Sequence, residues 1–117
     1  METITIIIND APYGTEKPWN ALRLAKALVV KKQKVNIFLL GDGVGLAKKG
    51  QQTPAGYYNL GQMLSELISS GAEVRACRTC LNSRGITETE MIEGAAVGGT
   101  MTYLADLIAG GSRVIAF

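Results

Sequence analysis

The run Thr3-Ile4-Thr5-Ile6-Ile7-Ile8 constrains this chain more than any other stretch. Its side chains branch at Cβ, which makes them stiff and suits them to pleated backbone. The apolar residues do not keep to one side of the two-residue period. The stretch therefore reads as a strand buried on both faces, the kind found inside parallel sheets.

The rest of the chain supplies what such a sheet needs. Val35–Leu40, Glu73–Ala76 and Arg113–Phe117 read as further strands, and Gly94–Val97 as a short one. Between them lie helical patterns. In the first, Trp19, Leu22, Ala25, Leu28 and Val29 share a face; Thr15 is placed to cap it, Pro18 sits in its first turn, and Lys31-Lys32-Gln33-Lys34 closes it. In the second, Leu60, Met63, Leu64, Leu67 and Ile68 recur at helical spacing. Leu46–Gly56 reads as a short turn of helix and a loop, and Thr87-Glu88-Thr89-Glu90 as a capping box opening a short helix. In the last helix, opened by Gly98-Gly99-Thr100, the face is Met101, Leu104, Ala105 and Ile108. Alternating strands and helices joined by right-handed crossovers predict a three-layer αβα sandwich on a mostly parallel sheet of about five strands. The whole of residues 1–117 reads as one domain.

Composition narrows the chemistry. The 117 residues include no histidine, which removes imidazole bases and the commonest metal ligand. Two cysteines cannot close a four-cysteine zinc site in one chain, so no metal or other cofactor is expected. A net charge of +2 is too small to argue for direct nucleic-acid or membrane binding. No apolar run approaches the roughly 20 residues of a membrane span, and Met1 leads into a strand without a basic, cleavable leader. The expectation is a cytoplasmic protein, in a reducing compartment where a close cysteine pair is more often reactive than structural. With 47% apolar residues the chain is rich for its size, which points to an oligomer that hides a face.

In an open parallel sheet, sites form where loops follow the strands' carboxyl ends. Three stretches share that edge here: Asn9–Thr15, Gly41–Gly45 and Cys77–Gly85. The last carries the chemistry. Cys77 follows a strand and starts a helical turn, and Arg75, Arg78 and Arg84 lie close in sequence; both settings favour a thiolate. Cys80, three residues on, shares the helix face at about 5–5.5 Å between Cα atoms, within disulfide range. Cys77 and Cys80 are therefore the candidate catalytic residues, with Arg78 and Arg84 as thiolate-stabilising partners. The plainer alternative is two buried thiols acting as small apolar side chains. Tyr13, with Gly14, is a candidate wall of the cysteine pocket. Gly41-x-Gly-x-Gly45 follows the second strand and lacks full dinucleotide spacing, so a tight turn is the simpler reading than a nucleotide loop. Gly98-Gly99-Thr100 reads as a helix cap before it reads as an anion site. The lysines at 31, 32, 34, 48 and 49 read as solvated faces.

Over essentially its whole length the sequence resembles the DsrE/DsrF-like sulfur-relay family. The likeness rests on Ala11-Pro12-Tyr13-Gly14-Thr15 followed by Ala21–Leu28, on Cys77 through Arg84-Gly85-Ile86 with the threonine- and glutamate-rich stretch after it, and on Arg113–Phe117. Cys77-Arg78-Thr79-Cys80 and Gly50-Gln51…Gly56-Tyr57-Tyr58-Asn59 look most like the YchN-like branch. The resemblance implies the DsrEFH-like sandwich and a sulfurtransferase-type carrier. Cys77 would hold sulfane sulfur as a persulfide and pass it from a sulfur-donor to a sulfur-acceptor protein. It implies a homo-oligomer, a hexamer or trimer. Cys80 departs from most relay members, because a neighbouring thiol can expel sulfide from a persulfide and leave a disulfide. That keeps a CxxC dithiol redox protein, and a non-catalytic oligomeric binding module, as alternatives.

Overall fold

Strand β1 (Thr3–Ile8) is buried from Ile4 onward and paired on both sides, with β2 (Lys34–Leu39) and β5 (Arg113–Ala116). Beyond β2 lie β3 (Glu73–Ala76) and β4 (Ala96–Val97), giving the order β4-β3-β2-β1-β5 with every pairing parallel. These coordinates are a computed structural model that describes residues 1–99 and 101–117.

Parallel neighbours cannot be joined by hairpins, so each connection carries helix. The helix α1 (Lys17–Val30) leads from β1 to β2, and α2 (Leu60–Ser69) from β2 to β3. The short α3 (Arg78–Ser83) and one 3-10 turn at Glu88–Glu90 lie between β3 and β4. Finally α4 (Met101–Ala109) carries the chain from one edge of the sheet to the other. Register puts Thr5, Asn36, Phe38 and Arg75 on one face. The helix α4 lies there: the Tyr103 ring meets Phe38 edge-on at 5.4 Å, and the Arg75 guanidinium sits 4.6 Å above the Tyr103 ring. The opposite face, with Ile4, Ile6, Ile8, Val35, Ile37 and Leu39, is left to α1 and α2, which pack against each other. This is the αβα sandwich of the sequence reading, with all five strands parallel. Ile6, Ile8, Ile37, Phe38 and Leu39 are fully buried, each contributing about 1.5–3 kcal/mol of hydrophobic stabilisation.

Several local expectations shift. The N-cap of α1 is Glu16, and Thr15 acts one residue early: its hydroxyl accepts the Lys17 N–H at 3.2 Å and donates to Asp10 at 2.9 Å. Pro18 stands at the helix start as expected. Lys34 belongs to β2, and the turn before it closes through Lys32 in the left-handed region, φ 62°. The glycine stretch is a 3-10 helix over Gly41–Ala47, so helix begins five residues before Leu46. At the capping box, the Glu90 carboxylate accepts the Thr87 N–H at 3.0 Å, but only a single 3-10 turn follows. Of the predicted face of α4 only Leu104 is buried, while Met101 and Ile108 are exposed. Periodicity shows which side of a helix is apolar, and α4 reaches the sheet mainly through Tyr103 and Leu104. Trp19 is half-buried, stacked on Tyr58 at 4.8 Å. The predicted cap at Gly98-Gly99-Thr100 falls partly on Thr100, outside the described residues.

Candidate functional site

The site grows out of the end of β3. The Cys77 N–H continues the sheet ladder by donating to the Leu39 carbonyl at 3.0 Å. The chain then turns into α3, with Cys77 as its N-cap. The residue leaves its extended conformation (ψ 122°) with its sulfur pointing back over the turn, where Cys77 Sγ accepts the Cys80 N–H at 3.4 Å. A serine or aspartate oxygen does the same at an ordinary N-cap. Cys77 is buried, 7% exposed, and Cys80 is partly exposed. Both are free thiols. Burial pushes the Cys77 thiol above its ordinary value, and the neighbouring Cys80 thiol adds to that.

The second sulfur is held from the 3-10 helix that follows β2. The Gly41 N–H donates to Cys80 Sγ at 3.2 Å. It can do so because β2 ends at Leu39 and Gly41, at φ 54°, bends the chain into the 3-10 helix. Two residues on, Gly43 is pressed against β1; a Cβ there would lie 2.1 Å from the Ile8 carbonyl oxygen. The glycines thus bring the β2 loop against β1 and aim a backbone amide at a cysteine. The Gly41-x-Gly-x-Gly45 pattern signalled the tight turn; the amide–sulfur contact had no signal in the sequence.

The arginines sit otherwise than their spacing suggested. Arg84 Nε donates to Asp42 Oδ1 at 3.0 Å, and its Nη1 donates to the Cys80 carbonyl at 3.1 Å. It ties α3 to the 3-10 helix. Arg78 pairs with Glu88 at 3.0 Å, and Arg75 lies over Tyr103. The contacts given to the two sulfurs are therefore backbone N–H groups, and the guanidinium groups of Arg78 and Arg84 engage carboxylates. Asp42 is the site neighbour that sequence reasoning passed over.

The β1 loop joins the same edge. The Asn9 N–H donates to the Phe117 carbonyl at 2.9 Å, and the Gly43 N–H to the Asn9 carbonyl at 3.1 Å. Tyr13 adopts φ 67°, uncommon for a residue with a side chain. Its hydroxyl donates to Gln51 at 2.8 Å and accepts the Leu60 N–H at 2.9 Å, and its ring stacks on Tyr58. These contacts tie Tyr13 to the segment leading into α2. Gly14 is exposed, its N–H closing the turn onto Ala11 at 3.3 Å. Among the described residues no group of three or more acidic, histidine or cysteine side chains is placed to hold a metal ion. No helix among them is long and apolar enough to cross a membrane.

Fold and site together define a class: a parallel αβα sandwich with a hydrogen-bonded cysteine pair where β3 meets its helix. Within that class the chain belongs to the DsrE/DsrF-like family, whose model matches residues 2–117. It is 41% identical to an uncharacterized protein of Methanopyrus kandleri, over all of this chain and 95% of that one. It is 37% identical to the protein YchN of Escherichia coli over the whole of both. The crystal structure of YchN from E. coli superposes with a TM-score of 0.90, covering both chains completely. A protein of unknown function from Methanobacterium thermoautotrophicum, 15% identical, shares the fold at a TM-score of 0.84.

Proposed function

We propose that this protein carries sulfane sulfur as a persulfide stored on Cys77, taking it from a donor persulfide and handing it to an acceptor thiol. The observation behind the reading is the pair itself: two free thiols at the carboxyl edge of the sheet, each accepting a backbone N–H, in a chain of the DsrE/DsrF-like family. Loading breaks the donor's S–S bond and forms a new one to protein sulfur, so the protein needs neither metal nor redox cofactor. A buried position shields the stored sulfur from water and oxidants. The backbone N–H of Cys80, 3.4 Å from Cys77 Sγ, supports charge on that sulfur as the bond changes hands.

The test is intact mass after incubation with a persulfide donor. Wild type is expected to gain 32 Da, mapped to the Cys77 peptide at equilibrium, and the Cys77→Ser/Cys80→Ser double variant to gain nothing. No gain on wild type would overturn the reading.

One observation favours a second reading. The Cys80 N–H reaches Cys77 Sγ at 3.4 Å, so both thiols sit on one helical turn, as a dithiol must be close to form a disulfide. A CxxC redox protein would then show a reversible two-electron couple near the cytosolic glutathione poise. Titration against glutathione that leaves both thiols reduced across that range would remove it. On either reading the working form is a homo-oligomer, a hexamer or trimer, and exposed apolar side chains on α4 and β5 support that.

A further inference from the structure

The geometry points to a division of labour within the pair: Cys80 is the thiol that meets the donor and receives the sulfur atom, and Cys77 is the store behind it. This rests on the carrier reading above and deepens it.

Three observations carry the inference. Cys77 is 7% exposed and its sulfur lies over its own helical turn, where it accepts the Cys80 N–H. A donor persulfide, itself on a protein or a small thiol, has to bring its outer sulfur in line with the attacking sulfur, and burial denies Cys77 that approach. Cys80 is partly exposed, so a donor can reach it. Finally, Cys80 Sγ already accepts an N–H from a different element, Gly41 at 3.2 Å, fixed by the turn against β1. Charge on Cys80 sulfur, when its proton departs before attack and again when it is the leaving group in transfer to Cys77, meets a preplaced donor without rearrangement. In the more familiar arrangement of a CxxC turn the first cysteine is the accessible one; here burial reverses the order.

The steps balance. Cys80 sulfur attacks the outer sulfur of R–S–SH. The Cys80–S bond forms, the donor's S–S bond breaks, its electron pair leaves on the R–S sulfur, and the proton given up by Cys80 ends on the released donor thiol. Cys77 sulfur then attacks the same outer sulfur. The Cys77–S bond forms, the Cys80–S bond breaks, and the Cys77 thiol proton passes to Cys80 sulfur. The transferred atom keeps its oxidation state throughout. Delivery to the acceptor is the same path reversed. Attack by Cys77 on the inner sulfur of the Cys80 persulfide would instead form a Cys77–Cys80 disulfide and expel hydrosulfide.

Two measurements on the full chain test this. The first needs no persulfide: limited iodoacetamide labelling of wild type at neutral pH, with peptide mapping. Cys80 is expected to react at least tenfold faster than Cys77; equal rates, or a faster Cys77, overturn the inference. The second follows the 32 Da gain over time. Cys80→Ser keeps an oxygen for the Gly41 N–H and is expected to load at least tenfold more slowly than wild type. Cys77→Ser is expected to carry its 32 Da on the Cys80 peptide and to lose that sulfur to cyanide faster than wild type does. Cys80→Ser loading at the wild-type rate overturns the inference and leaves the carrier reading standing. Wild type that loses 2 Da in place of gaining 32 overturns storage on Cys77 in favour of disulfide formation. Wild type that does neither removes the carrier reading, while the labelling order still decides which thiol meets a reagent first.

Discussion

At the residue scale, Cys77 couples the site to stability. Its thiol is raised above the ordinary value of 9.0, first by burial and then by the Cys80 side chain. A group whose folded value is raised holds its proton more tightly in the folded state. Its stabilising share is complete below the unfolded value and is lost as pH climbs from there through the folded value. Between those two values the folded chain binds more proton than the unfolded chain, so stability falls with rising pH. Urea unfolding of wild type and Cys77→Ala from pH 7 to pH 10 checks this. The variant is less stable at pH 7, because it leaves a small cavity, but its stability is expected to fall less steeply above pH 9. Parallel slopes would mean that Cys77 titrates in the fold as it does in the unfolded chain. The position of the two cysteines on one turn was legible in the sequence; which of them is buried was not, since a spacing of three residues places both on one helix face and says nothing of what covers it.

At the element scale, the 3-10 helix Gly41–Ala47 is the hinge between core and site. Its own Val44, Leu46 and Ala47 are buried, its first N–H reaches Cys80, and its Asp42 holds Arg84. Gly43 permits this approach, for a Cβ there would lie 2.1 Å from the Ile8 carbonyl oxygen and 2.8 Å from its carbon. Backbone cannot give way as a flexible side chain can. Gly43→Ala is therefore expected to cost about 3 kcal/mol or more, read as a lowered urea midpoint, and to speed labelling of Cys80 as the Gly41 amide is displaced. A variant of wild-type stability would show that the turn is looser than this contact. The Gly-x-Gly-x-Gly pattern made a turn legible in the sequence. Its form was not, because the choice between a loop and a 3-10 helix depends on the space β1 leaves. The Arg78 and Arg84 positions fall in the same category: their proximity to the cysteines could be read, but their carboxylate partners Glu88 and Asp42 were set by the fold.

At the scale of the whole molecule, the sheet is unevenly covered. Its β5 edge has every residue of Arg113–Ala116 exposed, including Val114 at 37% and Ile115 at 40%, and Met101 and Ile108 are exposed on α4. An open apolar edge strand invites pairing with another chain, and self-association removes that surface from water. We therefore expect sedimentation at micromolar concentration to give an oligomer. Ile115→Lys is expected to shift it toward monomer with little change in the far-ultraviolet circular dichroism of the fold; a wild type that sediments as monomer would contradict the proposal.

By itself the sequence determined the alternation of strands and helices, hence the parallel sandwich, because side-chain periodicity and β-branching act locally and survive any arrangement of neighbours. It also placed the two cysteines of Cys77–Gly85 at the edge where strand ends gather. Only the tertiary structure decided that Cys77 is buried and Cys80 partly exposed, that a glycine amide from the 3-10 helix after β2 supports the second sulfur, and that one edge of the sheet stays uncovered. Those facts depend on which distant segments meet, and hydrogen bonds, burial and charge pairing across the fold are set by that meeting.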